Sequence, residues 1–285
     1  MLATFAAITP NTVVELGKLV ANNATSVRRP LWPVGGGTAM NCGRQPAADG
    51  IAVRLEKLNR VIDYPARDMT ITVEAGIRMA ELAKILKSEN QRLPIDVPQA
   101  EQATLGGLIA TNWSGPRRFG CGTLRDYVIG VSAVDASGRL FSGGGRVVKN
   151  VAGYDLCKLL VGSHGTLAII TQVTLKLRPQ PETSVFVCLA FDSLAPIDAV
   201  LARLSTSATR PVAVEVLNSL SSQGILACAE QIQMPVPAVT TRAERGHLCI
   251  AFEGTSRETN WQAETLLAEC REFEPQAVQK QKVAN

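Results

Sequence analysis

Three short clusters of glycine and other small residues are the part of this sequence whose composition and spacing can do chemistry. The first is Gly35-Gly36-Gly37-Thr38. Consecutive residues without Cβ atoms let main-chain N–H groups surround a phosphate, and a threonine hydroxyl adds one more donor. It is neither GxGxxG nor GxxxxGK[ST], so the two common nucleotide-binding signatures do not apply to it. The second cluster runs Ala103-Thr104-Leu105-Gly106-Gly107-Leu108-Ile109-Ala110-Thr111-Asn112-Trp113-Ser114-Gly115-Pro116-Arg117-Arg118-Phe119-Gly120. Its small side chains suit close approach of the main chain to a flat ligand. The third, Val161-Gly162-Ser163-His164-Gly165-Thr166-Leu167-Ala168-Ile169, enters a run of alternating apolar residues. Each cluster alone reads equally as a turn or a packing device. Three of them beside strands or turns favour a bound ligand.

The titratable side chains say less. Two histidines cannot build a histidine-rich metal centre, and seven cysteines at 42, 121, 157, 188, 228, 249 and 270 contain no CxxC pair. No metal site is expected. The scattered thiols read as reduced, mostly as small core residues, in a cytoplasmic protein. Residues 1–180 carry 21 Lys and Arg against 13 Asp and Glu, whereas residues 181–285 carry 8 against 12. That asymmetry places an anionic ligand in the first part, or simply marks two differently charged surfaces. No basic run interleaved with aromatics is present, which argues against nucleic acid. No apolar run approaches the roughly 20 residues of a membrane span, and the start lacks the basic region of a secretory signal.

The elements that must position these clusters follow from periodicity. Thr9 and Pro10 predict the start of a helix carrying Val13, Leu16 and Val20. Trp32–Val34 predicts a strand feeding the first cluster; Ile51/Val53/Leu55 and Ile71/Val73 predict two half-buried strands. Met79, Leu82, Ala83 and Leu86 form a helical stripe between Gly76 and Asn90. Val128–Asp135 and Arg139–Ser142 predict a hairpin around Ala136-Ser137-Gly138. Leu167 to Leu177 predicts a long strand of strict alternation. Arg178-Pro179-Gln180-Pro181 coincides with the change in charge sign, which sets domains at 1–180 and 181–285. Beyond it, strands at Val185–Phe191 and Leu248–Phe252 alternate with helices at Ala195–Ser205 and Asn260–Cys270, so both parts are α+β.

In this order, the three clusters resemble the FAD-binding domain of the vanillyl-alcohol oxidase and D-lactate dehydrogenase superfamily. Within it, Ser114-Gly115-Pro116-Arg117-Arg118, Leu124-Arg125-Asp126-Tyr127-Val128-Ile129-Gly130 and Val148-Lys149-Asn150-Val151-Ala152-Gly153-Tyr154-Asp155-Leu156 are similar to the family of glycolate oxidase E subunits. The resemblance covers about residues 30–180. It implies an α+β fold: a two-part FAD-binding domain followed by a smaller cap domain, truncated or reduced. It also implies FAD; some relatives attach it covalently through a His, but the only His near the clusters is His164, so the flavin is expected to be held non-covalently. Gly35, Gly36, Gly37 and Thr38 would hold the pyrophosphate. Thr104, Leu105, Gly106 and Gly107, with Ala110, Thr111, Asn112 and Gly115, would line the flavin and its ribityl chain. Gly165 and Ile169 would meet the adenine half. Arg117 and Arg118 would partly neutralise the phosphates or stand as solvated surface residues; Lys149 and Asn150 would sit near the flavin or cap local structure. Gly36→Val is expected to remove flavin and leave the fold largely intact.

The same resemblance implies a heteromeric complex with a related FAD-containing catalytic subunit and an iron–sulfur subunit. Such a complex would oxidise glycolate to glyoxylate and would meet the inner membrane only through partners. Two alternatives stay open: an independent flavin oxidoreductase of another 2-hydroxy acid, and a scaffold that has lost its flavin. Where many relatives carry Glu in a GSEGT turn this chain has His164, and only His247 is available where metal-dependent relatives cluster histidines. No catalytic base is identifiable.

Overall fold

The computed structural model describes residues 6–42, 48–145, 154–218 and 246–284. The chain divides into two units, Met1–Gly115 with Gly122–Pro179, and Pro116–Cys121 with Gln180–Asn285. The hexapeptide Pro116–Cys121, expected with the first domain, therefore groups with the second.

The first unit opens on β1 (Ala6–Ile8), α1 (Val13–Asn22), β2 (Leu31–Val34) and β3 (Ile51–Arg54). The three strands form a parallel sheet in the order β1-β3-β2. The helix starts three residues later than Pro10 predicts. Thr12 is its cap, accepting from the Glu15 amide, while the Glu15 carboxylate accepts the Asn11 amide 2.8 Å away. Reciprocal capping of this kind satisfies donors that a proline at the first position leaves open.

A five-stranded antiparallel sheet follows in the order β4-β5-β9-β7-β8, from β4 (Val61–Asp63), β5 (Thr70–Glu74), β7 (Val128–Val134), β8 (Leu140–Gly144) and β9 (Ile169–Lys176). A two-stranded pair, β6 (Gln91–Arg92) with β10 (Arg178–Pro179), stands beside it. Contrary to the half-buried expectation, β5 buries Thr70, Ile71, Val73 and Glu74, because this sheet is covered on two sides. One cover is α2 (Met79–Ser88) and α3 (Leu105–Thr111), whose Leu82, Leu86, Leu105 and Ile109 pack on Ile71, Val73, Val173 and Leu175. The other is α1 with the parallel sheet, where Leu16, Val20 and Val53 meet Val134 and Ile169.

The strict alternation predicted for β9 fails at its centre. The β7–β9 register shifts between Ser132 and Ala133, and the extra residue re-aims the strand. Ile169 enters the smaller core while Ile170, Val173 and Leu175 all enter the larger one. The buried Thr171 hydroxyl is satisfied by the Ser132 carbonyl at 3.0 Å. Two short helices complete the unit, α5 (Leu124–Tyr127) and α6 (Leu156–Leu160).

Among the described residues the second unit carries α4 (Arg118–Cys121), β11 (Thr183–Phe191), α7 (Ala195–Thr206), β12 (Ala213–Asn218), β13 (Gly246–Gly254), α8 (Ser256–Cys270) and β14 (Ala277–Ala284). Its sheet runs β12-β13-β11-β14, antiparallel throughout. Val185, Val187, Leu189, Leu248, Ile250 and Phe252 bury one face against Ile197, Val200, Ala263 and Leu266 of the two helices. The sequence reading missed β12 and β14. Edge strands need only one apolar face, and in β14 lysines replace part of it: Lys280 pairs with Glu264 at 2.6 Å and Lys282 donates to Ser256 Oγ, both on α8.

No described cysteine takes part in a disulfide. Burial pushes Cys157 up, and Cys270 up to about 11, as expected of inert core thiols.

Candidate functional site

The first unit brings the three small-residue clusters together. Gly35 follows β2 directly, and a Cβ there would lie 2.0 Å from Thr104 Oγ1, so the first cluster packs on the second through a missing side chain. The Gly162 and His164 amides donate to the carbonyls of Ile109 and Ala110 at 2.9 and 2.8 Å, which ties the third cluster to the end of α3. Gly165, with φ of +72°, turns the chain against the Pro33 ring. That left-handed conformation favours glycine.

A cleft opens where they meet. Gly35, Thr104, Gly106, Gly107, Ala110 and Gly165 line it, with Pro33, Leu55, Ala75, His164, Ala168 and Ile170. No lysine, arginine or acidic side chain is among these residues. A second hollow shares Pro33, Gly165 and Ala168 with the first and continues over Leu31, Thr166 and Ile169. Sequence reasoning did not place Pro33, Leu55, Ala75 or Ile170 at the site, and it named Ala168 only within the third cluster. Ala75-Gly76 carried a usable signal: Gly106 donates to the Ala75 carbonyl at 2.7 Å, an approach that two small residues permit.

The other expected residues are placed differently. Gly36, Gly37 and Thr38 form an exposed turn beyond Gly35. Among the described residues their amides, like that of Gly35, make no turn or loop hydrogen bond. Leu105 is wholly buried in the core, so only its main chain is available to a ligand. Thr111 Oγ1 donates to the Gly107 carbonyl at 3.0 Å and Asn112 ends α3 in the left-handed region, so both serve the helix. Gly115, φ +69°, turns against Asp96. Lys149 and Asn150 lie outside the described residues. His164 has φ of +51° and lines the cleft, while His247 is buried in β13. Among the described residues no group of three or more His, Cys, Asp or Glu could hold a metal ion.

Arg117 is engaged elsewhere. Its Nε lies 2.7 Å from Glu253 Oε1, and that carboxylate is only 3% exposed. Removing one partner of a buried pair leaves the other charge stranded. Arg117→Ala should therefore lower stability by about 3 kcal/mol in a urea titration. Flavin affinity should stay within about twofold, a difference of roughly 0.4 kcal/mol. A stable variant with weakened flavin binding would restore the phosphate-neutralising role.

A dinucleotide with a flat ring system fits this surface. Gly107 faces the cleft with only Thr104 Oγ1 near its Cβ position, the amides of Gly35–Thr38 are available to an anion, and the Ser163 hydroxyl is buried without a partner among the described residues. Comparison with known proteins agrees. Residues 5–144 match the FAD binding domain family. The chain is 28% identical to glycolate oxidase subunit GlcD of Bacillus subtilis, over 96% of its own length and 57% of that protein. It is 35% identical to glycolate oxidase subunit GlcE of Escherichia coli over 57% of its own length and 46% of that protein. It is 38% identical to a D-lactate dehydrogenase of Archaeoglobus fulgidus over 58% of its own length and 37% of that one. Among solved structures, alkyldihydroxyacetonephosphate synthase superposes with a TM-score of 0.76 at 21% identity, covering 96% of this chain and 51% of that one. The chain thus spans about half the length of the proteins it matches. Among the described residues no helix is long and apolar enough to cross a membrane. The two-part α+β unit, its glycine-lined cleft and these likenesses have one explanation: the chain carries an FAD binding domain of the vanillyl-alcohol oxidase and D-lactate dehydrogenase type.

Proposed function

We propose that this chain is the FAD-binding subunit of a glycolate dehydrogenase complex that oxidises glycolate to glyoxylate. A related FAD-containing catalytic subunit and an iron–sulfur subunit are its partners. The observation that carries the reading is the meeting of three small-residue clusters on one uncharged cleft within an FAD binding domain. Similarity to subunits GlcD and GlcE supplies the substrate class.

In this reading Gly35, Gly36, Gly37 and Thr38 hold the pyrophosphate through main-chain donors. Thr104, Gly106, Gly107 and Ala110 bed the flavin, and Gly165 and Ile169 meet the adenine half. FAD, when bound, supplies the two-electron acceptor. The chain's own residues bind it, orient it and exclude water from its ring system. His164 is the one titratable side chain among the described cleft residues, with no carboxylate or lysine beside it, and oxidation is assigned to the complex.

The test loads the purified chain with FAD, removes free flavin and assays glycolate, D-lactate and D-2-hydroxyglutarate with and without partners. We expect yellow protein that turns over only in the complex. Acid precipitation should then release the flavin to the supernatant, because contacts made by main-chain donors and burial exist only in the folded state. Flavin retained in the pellet would overturn non-covalent binding. A colourless chain that takes up no FAD would overturn the reading altogether. A second reading, an independent oxidoreductase of another 2-hydroxy acid, is favoured by the 38% identity to a D-lactate dehydrogenase. Rapid D-lactate turnover by the isolated chain would decide for it.

A further inference from the structure

The sheet of the second unit carries a pair of cysteines that the flavin cleft does not use. Its register sets Glu215, Cys249, Cys188 and Gln279 in one row across β12, β13, β11 and β14. The neighbouring Val187, Leu189, Leu248 and Ile250 point the other way, into the core beneath α7 and α8. Successive side chains of a strand take opposite faces, so the row lies on the face away from the helices. Both thiols are partly exposed there. Their sulfurs are 3.2 Å apart, against about 2.0 Å in a disulfide. Directly opposite positions on antiparallel strands have Cα atoms about 4.5–5.5 Å apart, within the range a disulfide spans.

The two thiols are not equivalent. A hydrogen bond joins the two sulfurs, and it pushes Cys188 up and draws Cys249 down. Burial and the Glu215 carboxylate beside it oppose the second effect. Cys249 is thus the better nucleophile and Cys188 the resolving thiol.

We propose that Cys188 and Cys249 form a reversible thiol–disulfide site on this face of the sheet, with hydroperoxides as the oxidant class. The Cys249 thiolate attacks one peroxide oxygen. The O–O bond breaks, a sulfenic acid forms, and the leaving oxygen departs protonated as water or alcohol. Cys188 sulfur then attacks the Cys249 sulfur; the S–S bond forms, the S–O bond breaks, and hydroxide leaves with the Cys188 proton as water. Two thiols are oxidised by two electrons and one peroxide is reduced. Both sulfurs lie on a partly exposed face, so an added dithiol reaches the bridge and reduces it again.

The experiment treats the full chain with one equivalent of hydrogen peroxide, blocks remaining thiols with N-ethylmaleimide and maps peptides without reduction. We expect a linked peptide pair containing Cys188 and Cys249, lighter by two hydrogens, the loss of two titratable thiols, and full recovery with dithiothreitol. Cys188→Ser should arrest the reaction at a sulfenic acid on Cys249 that dimedone traps. Equal alkylation of both thiols before and after peroxide would overturn the proposal. So would a disulfide from either one to any other cysteine. The map on the unaltered chain needs no variant to fold, and neither readout depends on flavin.

Discussion

Gly107→Leu should give a folded protein that has lost its flavin. Gly107 lies on the cleft surface of α3, and a Cβ there would have only Thr104 Oγ1 within 4 Å, at 3.3 Å. Its backbone is not in the left-handed region, so leucine brings no backbone strain, and Thr104 Oγ1 need give only a few tenths of an ångström. In a helix the exchange gains up to about 0.8 kcal/mol of propensity, which offsets the exposure of an apolar side chain. The remaining carbons enter the space a bound ring system would fill. Bound flavin should fall at least about tenfold, equivalent to 1.4 kcal/mol or more of lost affinity. The visible-to-ultraviolet absorbance ratio after FAD loading measures it, and circular dichroism checks the fold. A full flavin complement in a folded Gly107→Leu protein would remove this stretch from the binding surface.

The neighbouring Gly106 sharpens the comparison, because its Cβ would meet Ala75 Cβ at 2.9 Å and the Ala75 carbonyl at 3.0 Å. That residue is glycine so that α3 can seat on the end of β5. Two adjacent glycines in one motif therefore serve different ends, and the sequence pattern alone does not separate them. What was legible was the motif as a whole. Gly35 against Thr104 is an approach that fails with a larger residue, and Gly162 sits at a φ of +80° that favours glycine. Such positions restrict residue type strongly and leave a readable trace.

Features set by long-range partners left no such trace. Arg117 reads as a phosphate ligand or a surface residue until Glu253, 136 positions away, is brought beside it. The rows that pair Cys188 with Cys249 depend on strand register, which two isolated apolar runs do not specify. The shift in β9 needs β7 as its partner and so breaks an alternation that looks regular in the chain. The cap at Thr12 was local and readable, since Thr12 and Glu15 have capping-box spacing; the proline signal at Pro10 was followed instead.

Gly36→Val should damage the fold as well as flavin binding, against the expectation drawn from the sequence. The φ of Gly36 is not positive, so backbone strain is not the cause. A Cβ at Gly36 would lie 1.7 Å from the Gln102 carbonyl oxygen, 2.6 Å from its carbon and 3.2 Å from the Ala103 nitrogen. These are main-chain atoms and cannot rotate aside. They are also anchored: the Gln102 and Ala103 amides both donate to the Gln99 carbonyl at 2.8 Å, and the Ala103 carbonyl accepts the Met79 amide at 2.9 Å. Ala103 is itself 1% exposed. Relief must come from moving the Gly35–Thr38 turn away from Thr104, which opens the junction of the first two clusters. Overpacking of this kind costs about 3 kcal/mol or more, and the urea midpoint should fall accordingly. Gly37→Ala separates the two effects. It has nothing within 4 Å of its Cβ and a φ of +72°, so it carries a strain of about 1 kcal/mol and little else. If the turn holds the pyrophosphate, Gly37→Ala should lose flavin out of proportion to stability, whereas Gly36→Val should lose both together. A Gly36→Val protein with an unchanged urea midpoint would show that the turn stands clear of Gln102.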